Sequence, residues 1–168
     1  ITGTGSKVVY QAPPAATPSP TPSPKPSGTV IGNEDNSTGW WTAHSETVKV
    51  AEGESKKVTF YNFTNGVENW FNFLVVLQNV ADAHGAADNA DYKEYAVVRA
   101  DNWGWGVGYD NIAVAENTYN WDTILTDLDG AAVNLKVTNN GSTADILATV
   151  TAKDGNVYTQ SYKGIAIT

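Results

Sequence analysis

Ala131-Ala132-Val133-Asn134-Leu135-Lys136-Val137-Thr138, Asp145-Ile146-Leu147-Ala148-Thr149-Val150-Thr151-Ala152 and Val157-Tyr158-Thr159-Gln160-Ser161-Tyr162 follow one another near the end of the chain. They are joined by Asn140-Gly141 and Asp154-Gly155. Short runs rich in β-branched residues, separated by Asn-Gly or Asp-Gly, predict β-hairpins, because those dipeptides accept the positive φ that tight hairpin turns need. Ile165–Thr168 reads as a short closing strand. Working back towards the start, Thr47–Val50, Lys56–Phe63, Trp70–Gln78 and Glu94–Ala100 add further strands, and Asn65-Gly66 gives another turn signal. Within Thr47–Val50 and Lys56–Phe63 the apolar set is Val48, Val50, Val58 and Phe60. The one helical stretch is Trp121–Leu128, about two turns, with Asn120 as N-cap and Gly130 as stop. The pattern predicts an all-β chain, an antiparallel β-sandwich of jelly-roll type with at most one short helix; a barrel is the competing architecture.

Side chains alternate faces along a strand. In Trp70–Gln78, Phe71, Phe73, Val75 and Leu77 form a wholly apolar face, which is predicted to be core. The opposite face carries Trp70, Asn72, Leu74, Val76 and Gln78. In Glu94–Ala100, Ala96 and Val98 share one face and Tyr95, Val97 and Arg99 the other. With Ala96 and Val98 inward, Tyr95 and Arg99, the sole arginine, point outward.

All seven prolines lie in residues 12–28. Such a Pro/Ser/Thr run favours polyproline II, lacks donors at each proline and cannot bury a core. Residues 1–29 therefore read as a spacer with the remnant of an upstream segment, and residues 30–168 as one folded module, large enough to bury its own core. The chain begins at Ile1 and contains no methionine, so it reads as a piece of a longer or processed chain. A stiff spacer holds two bodies apart while keeping them together.

The 168 residues carry 10 Lys and Arg against 18 Asp and Glu, a net charge of −8, which disfavours a nucleic-acid binder or an electrostatically held membrane protein. No apolar run reaches the ~18 residues of a membrane-spanning helix. The absence of cysteine excludes disulfides, thiolate nucleophiles and cysteine metal sites. Of the two histidines, His44 is followed directly by Ser45, which makes no triad, and no Gly-x-Ser-x-Gly elbow occurs. No carboxylate pair stands in a recognisable glycosidase setting. The reading is a non-enzyme that requires no cofactor.

Six Trp and eight Tyr demand an account in so lightly charged a chain. Asp101-Asn102-Trp103-Gly104-Trp105-Gly106-Val107-Gly108-Tyr109 is a loop by its glycines, and exposing two indoles and a phenol there is costly without a use. Trp40-Trp41 and Trp121 add to the load. A flat aromatic ring, negative on its face, stacks on the weakly positive C–H face of a sugar, while hydroxyls take amide, carboxylate and guanidinium partners. The candidate ligand-binding residues are thus Trp70, Asn72, Gln78, Arg99, Asp101, Trp103, Trp105, Tyr109 and Trp121. Against this, tryptophan in a sandwich is often core, and Arg99 has Asp101 within reach as an ordinary ion-pair partner. Two oxygen-rich stretches have the donor chemistry of Ca²⁺, Glu34-Asp35-Asn36 and the group Asp82, Asp88, Asn89 and Asp91. Neither matches an EF-hand; Glu34 and Asp35 are the metal candidates, with a structural role, and solvated acidic loops are the plain alternative.

The strings Gly39-Trp40-Trp41-Thr42-Ala43-His44-Ser45, Phe60-Tyr61-Asn62-Phe63-Thr64, Asn69-Trp70-Phe71-Asn72 and Val98-Arg99-Ala100-Asp101-Asn102-Trp103-Gly104-Trp105-Gly106 resemble the β-sandwich carbohydrate-binding modules attached through Pro/Ser/Thr linkers to secreted bacterial cellulases and other β-glucanases. The likeness covers roughly residues 33–168. It implies a monomeric, non-catalytic, secreted module that binds β-glucan and keeps a covalently linked catalytic domain near its substrate. Some such sandwiches hold a structural calcium. A structural or protein-binding sandwich of a secreted multi-modular protein is the other reading.

Overall fold

The computed structural model describes residues 47–63, 73–81, 83, 85–99, 111–120 and 122–168, the side chains of Arg99 and Leu125 aside. The strands are β1 (Ser55–Asn62), β2 (Leu74–Gln78), β3 (Glu94–Arg99), β4 (Ile112–Asn117), β5 (Ala131–Asn139), β6 (Thr143–Thr151) and β7 (Val157–Ala166), with the single short helix α1 (Ile124–Leu128) between β4 and β5. They form a five-stranded sheet in the order β1-β5-β6-β7-β4 and a two-stranded ribbon β2-β3. Every pairing is antiparallel. The all-β, two-sheet expectation holds; the described strands define no finer class.

The hairpins β5-β6 and β6-β7 form where Asn140-Gly141 and Asp154-Gly155 predict them. Gly141 and Gly155 have φ of 91° and 89°, the left-handed region that a side chain resists. Side chains finish each turn: Gly141 N–H donates to Asn139 Oδ1 (2.8 Å) and Asn156 N–H to Asp154 Oδ1 (2.9 Å).

Period-two alternation sorts the large sheet. Val133, Leu135, Ile146, Ala148, Val150, Tyr162 and Ile165 point inward and are buried. The ribbon closes this core from the other side with Phe73, Val75, Leu77, Ala96 and Val98, and α1 adds Ile124 and Leu128. The predicted inward faces of both ribbon strands are the observed ones for Phe73, Val75, Leu77, Ala96 and Val98, Phe71 lying outside the described residues, and the two strands are direct neighbours. Val97, on the opposite face, is only 2 % exposed, so that face is covered there as well. Truncating a core member such as Ile146 to alanine costs about 2–5 kcal/mol by this burial.

Four expectations need correction. Thr47–Val50 forms no strand; Val48 is 52 % exposed and has no face to bury. β4 is absent from the sequence reading, because an edge strand with residues 113–117 all exposed carries no two-sided apolar signature. Val157–Tyr162 and Ile165–Thr168 are not separate strands. β7 runs through Gly164 (φ 65°), at a bulge where one β6 residue, Asp145, stands opposite two of β7, Lys163 and Gly164: Ala144 pairs Ile165 and Ile146 pairs Tyr162. The helix begins at Ile124 rather than Trp121, with Thr123 at the N-cap position making no capping side-chain bond. Asn120 instead makes a turn, accepting Asp122 N–H on Oδ1 (3.1 Å) and Thr123 N–H on its carbonyl (3.2 Å). Gly130 (φ 71°) does end the helical segment.

Candidate glycan-binding end of the sandwich

Ribbon register decides where the aromatic segments hang. Leu74, the first residue of β2, pairs Arg99, the last of β3. The points where the chain enters β2, after Trp70 and Asn72 in sequence, and leaves β3, before Asp101, Trp103 and Trp105, therefore stand opposite each other. Phe73 packs edge-on against Phe60 (ring centroids 5.0 Å apart, 79° between planes), which fixes that ribbon end over the end of β1. There Gly130 N–H donates to the Asn62 carbonyl (2.6 Å) and Asn62 Nδ2 to the Leu128 carbonyl (3.2 Å), locking α1 to β1. Asn120 and Asp122, the sequence neighbours of Trp121, lie in the turn ahead of α1. Three aromatic-bearing segments thus have anchors at one end of the molecule. The far end of the 100–110 segment is tethered elsewhere: Asn111 Nδ2 donates to the carbonyls of Tyr95 (2.9 Å) and Ala166 (3.0 Å).

Trp70, Asn72, Asp101, Trp103, Trp105, Tyr109 and Trp121 themselves lie outside the described residues, as do Glu34 and Asp35. Arg99 is placed by its backbone at the end of β3. Gln78 is half-buried at the opposite end of the ribbon, and its Nε2 donates to the carbonyls of Val80 (2.8 Å) and Ala83 (3.0 Å). Its amide nitrogen thus shapes the following turn, away from the Leu74–Arg99 end.

A polar cluster missed in the sequence reading sits at the α1 end. The Tyr158 hydroxyl donates to Asp127 Oδ2 (2.8 Å), and the Thr123 hydroxyl donates to the same oxygen (2.6 Å). Tyr119 stacks on Tyr158, with centroids 5.3 Å apart and planes within 5°. The bond to the carboxylate raises the Tyr158 pKa, because ionising the phenol would discard the proton that Asp127 accepts; desolvation adds to it. Tyr119 is pushed up chiefly by burial, then by the charges of Tyr162, Asp127 and Tyr158. The pair stays neutral and aromatic, and the carboxylate stays oriented. Nothing in the sequence joins the three, since Tyr119 precedes the helix, Asp127 lies within it and Tyr158 opens β7.

Gln160 is the one fully buried amide among the described residues, at 0 % exposure. It stands on the inner face of β7 between Asn117 of β4 and Ala148 of β6, and neither its Oε1 nor its Nε2 makes a hydrogen bond.

Among the described residues no three His, Cys, Asp or Glu side chains gather as a metal-holding group. Asp88 and Asp91 are exposed, and Asn89 Oδ1 accepts Asp91 N–H (2.9 Å), closing a turn. No described helix is long and apolar enough to cross a membrane. The chain matches no known protein-family model, no curated protein and no solved structure.

Proposed function

We propose that this chain is a non-catalytic carbohydrate-binding module that takes β-glucan chains, β-1,4-linked or mixed-linkage β-1,3-1,4 glucan, with xyloglucan as a branched variant. The observation that supports the reading is the Leu74–Arg99 pairing: the residue that follows the Trp70/Asn72 segment by two positions in sequence stands opposite the one that precedes the Asp101/Trp103/Trp105 segment. Trp103, Trp105 and Trp70 stack on successive glucose units in this reading, with Tyr109 and Trp121 flanking them. Asn72, Arg99 and Asp101 hydrogen-bond the hydroxyls; Gln78, at the far end of the ribbon, contributes only to a chain long enough to reach it. Loop aromatics accompanied by polar side chains suit a single chain in a groove better than a flat crystal face, which calls for coplanar exposed rings. The Pro/Ser/Thr spacer then links the module to a secreted, bacterial glycoside hydrolase and raises the local concentration of enzyme on plant polysaccharide. An affinity of about 10⁻⁴ to 10⁻⁶ M, or roughly −5.5 to −8 kcal/mol, suits that task.

The test is native affinity electrophoresis of the chain in gels containing hydroxyethyl cellulose, mixed-linkage glucan, xyloglucan, laminarin, xylan or mannan, each with and without EDTA. Retardation by the β-1,4-containing glucans supports the reading, and its loss in EDTA assigns a role to calcium. No retardation in any gel, and no pull-down by insoluble cellulose, overturns it in favour of a structural or protein-binding sandwich.

A further inference from the structure

The face of the five-stranded sheet turned away from the ribbon has a chemistry that the glucan reading does not use. Along one row of the register, Lys57 of β1 pairs Lys136 of β5, then come Leu147 of β6 and Ser161 of β7. The adjacent row is Thr59, Asn134, Thr149 and Thr159. Lys163 lies two residues beyond Ser161. With Lys136, Thr138, Asp145, Leu147 and Ser161 it lines a shallow hollow of about 180 Å³. Tyr61 stands on the same face at the sheet edge, 58 % exposed.

Directly opposed side chains on neighbouring strands lie roughly 5 Å apart at Cβ, and like charges there destabilise the sheet. Lys163 sits roughly 10–12 Å from Lys136, two strand spacings across and two residues along. Three other described lysines are engaged: Lys56 with Glu54 (3.8 Å), Lys93 with the Thr168 carbonyl (2.9 Å) and Lys153 with Asp129 (3.4 Å). Lys57, Lys136 and Lys163 make no ion pair or hydrogen bond among the described residues. The acids on this face are Asp145 and Glu116. The Asp145 carboxylate already accepts Gly164 N–H (2.8 Å) and Asn140 Nδ2 (3.2 Å), which pins the bulge in β7. In a chain of net charge −8, this face carries three lysines, two of them opposed, against two acids with which none makes an ion pair, a local excess of positive charge.

We propose that this face is a second binding surface, for an acidic polysaccharide whose sugars carry carboxylates, a polyuronate. Carboxylates settle on the Lys57–Lys136 pair and on Lys163. Sugar hydroxyls meet the Thr59, Asn134, Thr149 and Thr159 row, and Tyr61 offers a ring for stacking. A sparse cationic row beside hydroxyl and amide side chains suits a polymer with about one charge per sugar. The negative field of the rest of the chain opposes more strongly the denser charge of a nucleic-acid duplex, one per ~1.7 Å of axis.

The test uses the full chain and the triple variant Lys57→Gln, Lys136→Gln, Lys163→Gln in native gels containing polygalacturonate, at low salt and at about 0.2 M salt, where screening is strong. Parallel gels contain mixed-linkage glucan or double-stranded DNA. The expected result is retardation by polygalacturonate that weakens with salt and falls at least tenfold in the variant, with glucan retardation unchanged. The variant should unfold at the same denaturant concentration as the parent or higher, since the lysine repulsion is gone. No retardation of the parent by polygalacturonate, equal retardation of the variant, or DNA retardation as strong as that by polygalacturonate overturns the proposal. Loss of glucan binding alone would remove the module reading and leave this one standing.

Discussion

Leu74 and Arg99 are cross-strand partners, the first residue of one ribbon strand opposite the last residue of the other. That single register links two segments far apart in sequence, since 24 residues separate the positions that the pairing brings together. A shift by one residue would turn the Phe73, Val75 and Leu77 face out of the core, so burial itself holds the pairing.

If glucan binding rests on those two segments, Trp103→Ala and Trp105→Ala each weaken it by about 2 kcal/mol, roughly 30-fold, with the unfolding midpoint unchanged. Affinity electrophoresis on mixed-linkage glucan, run beside a urea titration, reads both. Two folded variants that bind like the parent would remove the loop from the site.

Gln160→Met replaces a buried amide that makes no hydrogen bond with an apolar side chain of similar length. Leaving a polar group buried and unsatisfied costs about 1–3 kcal/mol, so the variant should match the parent in stability or exceed it by about 1 kcal/mol. A loss of stability on denaturant unfolding would show that the amide is satisfied in solution.

Gly164→Ala should destabilise by about 1–3 kcal/mol, the cost of holding a side chain in the left-handed region. Gly164 has φ of 65°, and a Cβ there would sit 2.9 Å from Ala113 Cβ on β4. The loss should appear in the urea midpoint, and hydrogen exchange should show it concentrated in β4 and β7. A change below ~0.3 kcal/mol would mean that the bulge relaxes freely.

Stability should fall at alkaline pH. Tyr119, Tyr158 and Tyr162 all have raised pKa values, the first and last mainly through burial and Tyr158 mainly through its bond to Asp127. In the unfolded chain they ionise near the ordinary value of about 10. Below that pH both states hold the protons and the contribution is complete. Above it the unfolded state releases protons that the folded state keeps, so the unfolding free energy declines as pH climbs towards the folded-state values. Urea midpoints between pH 8 and 11.5 test this, and Tyr158→Phe should flatten the slope. A midpoint that stays level beyond pH 10.5 would contradict the shifts.

The hairpins were legible because their causes are local. Asn140-Gly141 and Asp154-Gly155 sit between runs with period-two alternation, and each turn is closed by its own side chains. The inward face of β2 was legible for a similar reason, from its apolar Phe73, Val75 and Leu77, whereas β3 buries Val97 on its other face as well as Ala96 and Val98. β4 was not, because an exposed edge strand is held by its neighbour β7 and not by its own pattern. The helix start was misplaced since Asn120, a good capping residue, spends its oxygen atoms on Asp122 and Thr123 in a turn before the helix.

By itself the sequence determined the all-β class, the hairpin turns, the core faces of the ribbon and the palette of aromatic and amide side chains that suits a sugar. Each follows from chemistry within a few residues along the chain. Only the tertiary structure decided that β2 and β3 pair, that Leu74 stands opposite Arg99, that Tyr158 reaches Asp127 and that Lys57 faces Lys136. Those relationships depend on register between strands distant in sequence, which is set by joint burial of two faces and leaves no mark on either strand alone.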